Sequence, residues 1–205
     1  TLASIPPPLI GFVGAPVVGR LGVAALLGAV ALGGVVFDAI FWSFGCLRMA
    51  TAGLTAQAVG ARDSHEIART LARSLTAAGL IGLTLVLAQV PIARLVALVS
   101  GASPDVLAGL STYFHIRIFA APFTLANYAI LGSVLGRGRT DLGLLIQVAI
   151  NLANIALTLV LVIGVGFGIA GAAGSALVSA AAGTVLGLAI GHRLGTRPFG
   201  VGRAD

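Results

Sequence analysis

Gln147, Asn151, Asn154 and Thr158 recur at intervals of four, three and four residues within the apolar run LGLLIQVAINLANIALTLVLVIG. That spacing puts all four on one face of a helix. Their amides and hydroxyl can hold a polar solute or an ion, or they can bond to a neighbouring helix; both readings stay open. A second polar line runs through YFHIRIFAAPFTLANYAILG, with Tyr113, Arg117, Thr124 and Tyr128 at intervals of four, seven and four and Asn127 beside them. Arg117 can meet a substrate there, or it can reach along its stem to a membrane edge. Asp38, in VVFDAIFW, is the only acid well inside an apolar run. Held away from water, it can exchange protons near neutral pH, or stay neutral and bond to an adjacent helix. In FGCLRMATAGLTAQAVG, polar groups follow an apolar helix without ending it. Arg48 marks its inner boundary, and Thr51 and Gln57 would line the inner mouth of a polar path. Groups of these types can bind, orient or exchange ions. Ser175 in GAAGSAL and His192 form no nucleophile motif, so the chain does not read as an enzyme.

The elements that carry these side chains follow from composition. Of 205 residues, 58% are hydrophobic and 9% charged, against about 25% charged in a soluble domain. Mean hydropathy is +1.09. Apolar runs rich in Ala, Leu and Gly, about twice the length of a barrel strand, give an all-α polytopic membrane protein. All twelve basic residues are arginine. They are dispersed, with no basic stripe or interleaved aromatics, so nucleic acid is not a partner. The single cysteine, Cys46, permits no intrachain disulfide, and no metal-binding or phosphate-cradling motif is present.

Six spans are predicted, at about 1–18, 24–47, 75–99, 113–135, 142–165 and 169–191, with residues 193–205 as a tail. The first run, TLASIPPPLIGFVGAPVV, has no n-region or cleavage site and reads as a membrane helix rather than a signal peptide. Span two is expected to continue as helix towards Val59, and span three to begin as an amphipathic segment near Glu66. Eight arginines (62, 69, 73, 137, 139, 193, 197 and 203) fall on one side and Arg20 on the other. The positive-inside rule puts the eight, and both termini, in the cytoplasm of a multi-pass inner (plasma) membrane protein. Gly132 and Gly136, and Gly183, Gly187 and Gly191, are spaced for close helix packing. Pro6, Pro7, Pro8, Pro16, Pro91 and Pro122 are expected to bend their spans.

Several of these stretches, in order along nearly the whole chain, carry a resemblance. FWSFGCLRMATAGLTAQAVGARD resembles the second-span motif of MATE (multidrug and toxic compound extrusion) transporters, in particular the DNA-damage-inducible protein F branch. PLIGFVGAPVVGRLG resembles the first span, YFHIRIFAAPFTLANYAILGSVLGRGRT the fourth, and NLANIALTLVLVIGVGFGIAGAAGSA the fifth and sixth. The resemblance implies a cation-coupled antiporter that needs no cofactor. It would export small organic, often cationic compounds across the bilayer in exchange for H⁺ or Na⁺. It also implies a twelve-span architecture of two lobes, of which residues 1–192 resemble the amino-terminal one. The opposite lobe would be a missing carboxy-terminal half or a second copy in a parallel homodimer.

The family's pattern is not followed everywhere. Gly14 stands where relatives carry a first-span aspartate. Asn154 matches a fifth-span motif whose acid is Thr158 here, and a threonine cannot take up and release a proton at ordinary pH. Tyr113 matches the family's fourth-span tyrosine, and Ala176, next to Ser175, stands at a sixth-span threonine. Asp38 is the remaining acid able to couple. Two further readings remain: a lobe that has lost its coupling acids and serves only in assembly or is inactive, and a flippase for lipid-linked precursors, which would call for a more cationic cavity than Arg48 and Arg117 provide.

Overall fold

The computed structural model describes residues 24–194. The expected first span, with Gly14, and the tail beyond Leu194 lie outside the described residues. Helices run in the order α1 (Ala24–Ser43), α2 (Gly45–Gly60), α3 (Ser64–Leu87), α4 (Gln89–Ser100), α5 (Pro104–Arg117), α6 (Ala121–Gly136), α7 (Thr140–Thr158) and α8 (Gly168–Arg193). Among the described residues, five segments are long and apolar enough to cross a membrane: Leu27–Gly60, Ser64–Leu87, Pro104–Gly136, Thr140–Gly164 and Gly168–Arg193.

The long segments are divided where local chemistry interrupts the hydrogen-bond ladder. Between α1 and α2, Phe44 N–H bonds to the Phe41 carbonyl and Leu47 N–H to that of Phe44, each at 3.0 Å, a tighter turn than the α-helix makes. The Ser43 hydroxyl donates back to the Ala39 carbonyl at 2.9 Å just before it, a bond associated with helix bending. Pro122 supplies no N–H to the preceding turn, and α5 passes into α6 through a 3₁₀ turn at Ile118–Ala120. Pro91 sits in the first turn of α4, where its missing donor falls at the break after Leu87. A π-helical stretch, Leu159–Gly164, closes α7.

Two expected boundaries move. The helix expected as span three starts at Ser64, close to the amphipathic entry expected near Glu66, where the Asp63 side chain accepts from Glu66 N–H at 2.9 Å and caps α3, and it stops at Leu87. The expected segment 75–99 is thereby split at Ala88. The fourth begins at Pro104 rather than near 113, since proline suits the first helical turn. Leu27–Gly60 has 34 residues. At about 1.5 Å per residue it is longer than a hydrocarbon core of about 30 Å. The turns around exposed Gln57 therefore run on past the apolar layer.

Packing centres on α6, whose buried residues include Leu125, Asn127, Ala129, Ile130 and Val134. One apolar cluster joins Phe37, Phe41, Tyr113, Phe114, Ile118, Val162 and Ile169. Another joins Leu71, Ile130, Leu131, Val134, Ile146 and Ile150. Large apolar side chains on the outside, such as Leu87, Leu98, Val99 and Val185, suit a lipid surround. The glycine spacing has a direct consequence. A Cβ on Gly132 would sit 2.6 Å from the Arg48 carbonyl oxygen and 2.8 Å from Thr51 Cβ, and Gly136 meets Ala52 and Thr55 in the same way. Gly183 and Gly187 admit Ile150 and Ile130 against α8, while Gly191 faces open space. Gly132→Val is expected to lower thermal stability in detergent by about 1–3 kcal/mol. Gly53→Val, where a Cβ meets nothing within 4 Å, serves as the control. Equal melting of the two variants would contradict the close α2–α6 approach.

Candidate functional site

A cavity of about 380 Å³ opens between α1, α2, α6, α7 and α8, with Arg117 at the end of α5. That size suits a drug-like molecule. Among the described residues, its charged lining groups are Asp38, Arg48 and Arg117. Its polar ones include Thr124, Asn127, Tyr128, Gln147 and Ser179, and Phe41, Trp42, Met49 and Ile150 supply apolar wall. The break at Phe44 matters here, because it lets residues on both sides of it, Phe41 and Trp42 in α1 and Gly45, Cys46, Arg48 and Met49 in α2, reach one cavity.

Arg117 is 7% exposed. Its guanidinium carbon lies over the rings of Phe37 and Tyr113, 5.4 and 5.8 Å from their centroids. The side chain is thus enclosed and turned to the cavity instead of reaching a membrane edge. Tyr113 itself is buried against Phe37, with ring centroids 6.2 Å apart, and stands behind Arg117 rather than on the cavity wall. Asn127 is held on both sides of its amide: Nδ2 donates to the Ala180 carbonyl at 2.9 Å, and Thr184 Oγ1 donates to Oδ1 at 3.2 Å.

The fifth-span stripe is divided between two tasks. Gln147 lines the cavity. Asn154 Nδ2 donates to Ser179 Oγ at 3.3 Å, and Thr158 Oγ1 and Ser175 Oγ are 2.7 Å apart, so these two fasten α7 to α8. Asn151 lies off the cavity wall, and its Oδ1 is buried without a hydrogen-bond partner among the described residues. Of the groups expected at an inner mouth, Arg48 lines the cavity. Thr51 is buried and donates to the Leu47 carbonyl at 2.7 Å, and its Oγ1 is hydrogen-bonded with Ser74 Oγ at 2.9 Å. Gln57 is exposed and lies beyond the cavity. Sequence reasoning passed over Trp42, Met49 and Ser179. Ser179 lies four residues after Ser175 on the small-residue face of α8, a periodicity that could have marked it.

Residues 2–160 match the MatE family. Over 186 residues the chain is 36% identical to DNA damage-inducible protein F of Escherichia coli (strain K12), covering 91% of this chain and 40% of that protein. A crystal structure of MATE in the bent conformation superposes with a TM-score of 0.81 at 26% identity, over 89% of this chain and 40% of the other. An inward-facing multidrug resistance MATE family transporter of the MOP superfamily superposes with a TM-score of 0.83 at 23% identity, over 97% of this chain and 43% of the other. The chain therefore spans less than half the length of these relatives.

If Thr158 is a fastening group, its loss and that of Ser175 should not add. Thr158→Val and Ser175→Ala are each expected to lower stability in detergent by about 1 kcal/mol, and the double variant by little more. Additive losses in that cycle would contradict the pairing. With a family match over most of its sequence and a MATE fold, this chain is a multi-pass membrane protein that belongs to the MatE family.

Proposed function

We propose that the chain forms one six-span lobe, residues 1–192, of a secondary active efflux transporter, with residues 193–205 leading away from it in the cytoplasm. The cavity is one wall of a central cleft through which small organic compounds leave the cell in exchange for H⁺ or Na⁺. The observation that carries this reading is the gathering of Asp38, Arg48, Arg117, Asn127 and Gln147 around one cavity inside a membrane-length bundle. Polar groups at that depth are costly facing lipid, and substrate or ion pathways are where such groups serve. Bent spans around the cavity suit alternating access by rocking one lobe against the other.

Orientation follows from the arginine-bearing connections. Successive spans alternate in direction, so Arg62, Arg137, Arg139 and Arg193 share one end of the bundle. Arg137 Nη1 donates to the Leu194 carbonyl at 3.4 Å, tying two of these segments together. By the positive-inside rule this is the cytoplasmic end. The cleft's other wall is a second lobe, either a complementary carboxy-terminal half or a second copy of this lobe lying parallel to it.

Coupling falls to Asp38, because Thr158 is bonded to Ser175 and its hydroxyl neither gains nor loses a proton at ordinary pH. The measurement is accumulation of amphiphilic dyes of either charge in cells expressing the chain, with and without a proton uncoupler. Uncoupler-sensitive exclusion of dye that Asp38→Asn abolishes, with protein still in the membrane, is the expected result for a parallel pair of lobes. Efflux unchanged in Asp38→Asn would remove that acid from coupling. No efflux from a membrane-inserted chain would rule out the paired-copy arrangement and favour an assembly role for this lobe in isolation.

A further inference from the structure

The charges of the cavity do not match the cationic compounds that the family resemblance brings to mind. Among the described residues, two guanidinium groups, Arg48 and Arg117, line the cavity with one carboxylate, Asp38, a formal excess of one positive charge. Asp38 and Arg117 feel each other's charge. They are not a contact ion pair, since the ion pairs among the described residues join Glu66 to Arg69 and Arg73, and Arg139 to Asp141.

Arg117 is the more telling of the two cations. It is more than nine-tenths buried, and its Nε has no hydrogen-bond partner among the described residues. A guanidinium carries five N–H donors arranged as a planar fork that matches an oxyanion. The rings of Phe37 and Tyr113 attract its positive charge through their faces but accept none of those bonds in the ordinary sense. The rings fix the group in place while its donor capacity stays unspent beside the cavity. A buried donor normally has a partner. The cavity is the side from which a partner can reach it, and Trp42, Phe41, Met49 and Tyr128 offer an apolar wall for the rest of such a molecule.

We propose that this cavity is a receptor for an oxyanion (a carboxylate, sulfonate or phosphate) carried on an apolar body, with Arg117 as the primary contact and Arg48 as the second. The assignment rests on the cavity being the substrate site proposed above, and it names the class of substrate. The same chemistry occurs in a free organic anion and in the phosphate group of a lipid.

Trp42 is the chain's single tryptophan and lies on the cavity wall, so its fluorescence reports occupancy. The probes are 1-pyrenesulfonate and 1-pyrenemethylammonium, which share an aromatic body and differ in charge. They are titrated against the full chain in phosphatidylcholine nanodiscs. The sulfonate is expected to bind about tenfold more tightly, the scale of one charge-assisted hydrogen bond. Arg117→Gln should remove that preference by weakening the sulfonate alone, and Asp38→Asn should tighten the sulfonate. Preference for the ammonium, or a sulfonate affinity unmoved by Arg117→Gln, overturns the assignment. Should Arg117→Gln fail to fold, Arg48→Gln and Asp38→Asn decide it, and an affinity unmoved by both overturns it.

Repeating the titration in phosphatidylglycerol discs separates the two sources. Loss of sulfonate binding there supports a lipid phosphate as the natural oxyanion, and retention supports a free organic anion. Binding is read without transport. A lobe that binds the sulfonate and exports nothing keeps this assignment and loses the efflux reading, whereas efflux without sulfonate preference does the reverse.

Discussion

The backbone of α6 lies almost against that of α2, and the rest of the lobe is arranged around this contact. Gly132 and Gly136 remove the side chains that would hold the two helices apart. Lipid supplies no hydrophobic drive for helices to associate, so close van der Waals contact must do that work. With its one side fixed to α2, α6 presents Thr124, Asn127, Tyr128 and Leu131 to the cavity on another. Gly183 and Gly187 let Ile150 and Ile130 fit against α8, which brings Ala176, Ser179 and Ala180 to the opposite wall. The cavity is thus a product of uneven packing: tight on the glycine faces and open where larger polar groups meet.

Polar groups within the bundle divide by whether their bonding is complete. Asn127, Thr51, Thr158 and Ser175 have partners on neighbouring helices or their own backbone, and they hold the scaffold. Arg117 is enclosed by aromatic rings yet retains unused donors. An unsatisfied buried cation is expensive in a low-dielectric interior. Tolerating it makes physical sense where an anionic ligand supplies the compensation. The same bundle therefore holds a rigid hydrogen-bonded seam between α7 and α8 and an electrically unsettled cavity beside it.

Much of the fold was legible in the sequence because bilayer thickness imposes long apolar runs, and proline and glycine mark breaks and close approaches. The breaks near Pro91 and Pro122 and the packing of Gly132, Gly136, Gly183 and Gly187 follow from residue type and spacing. The continuation of span two past Arg48 was readable for the same reason: nothing in MATAGLTAQAV stops a helix. The start near Ser64 was readable from its amphipathic turns, but that at Pro104 was harder, since polar residues in its first turns lower hydropathy while the position of Pro104 favours helix. The candidate site was only partly legible. Periodicity puts Gln147, Asn151, Asn154 and Thr158 on one face, but it cannot say which neighbour each meets. Ser175 and Ser179, distant in sequence, take up Thr158 and Asn154 and leave Gln147 to the cavity. Trp42 and Met49 carry no periodic polar signal, and it is the break at Phe44 that brings both helical segments to one space.

The central claim is that Gln147 faces a solvated cavity while Thr158, on the same helix stripe, is sealed between helices. Cysteine accessibility in intact membranes tests it directly, on a Cys46→Ala background that removes the only native thiol. With Gln147→Cys, the account predicts rapid reaction with a small charged thiol reagent, slowed when a bound amphiphile fills the cavity. With Thr158→Cys it predicts no reaction over the same period. Equal reactivity at the two positions, or protection of Gln147→Cys in the absence of any ligand, would contradict the account.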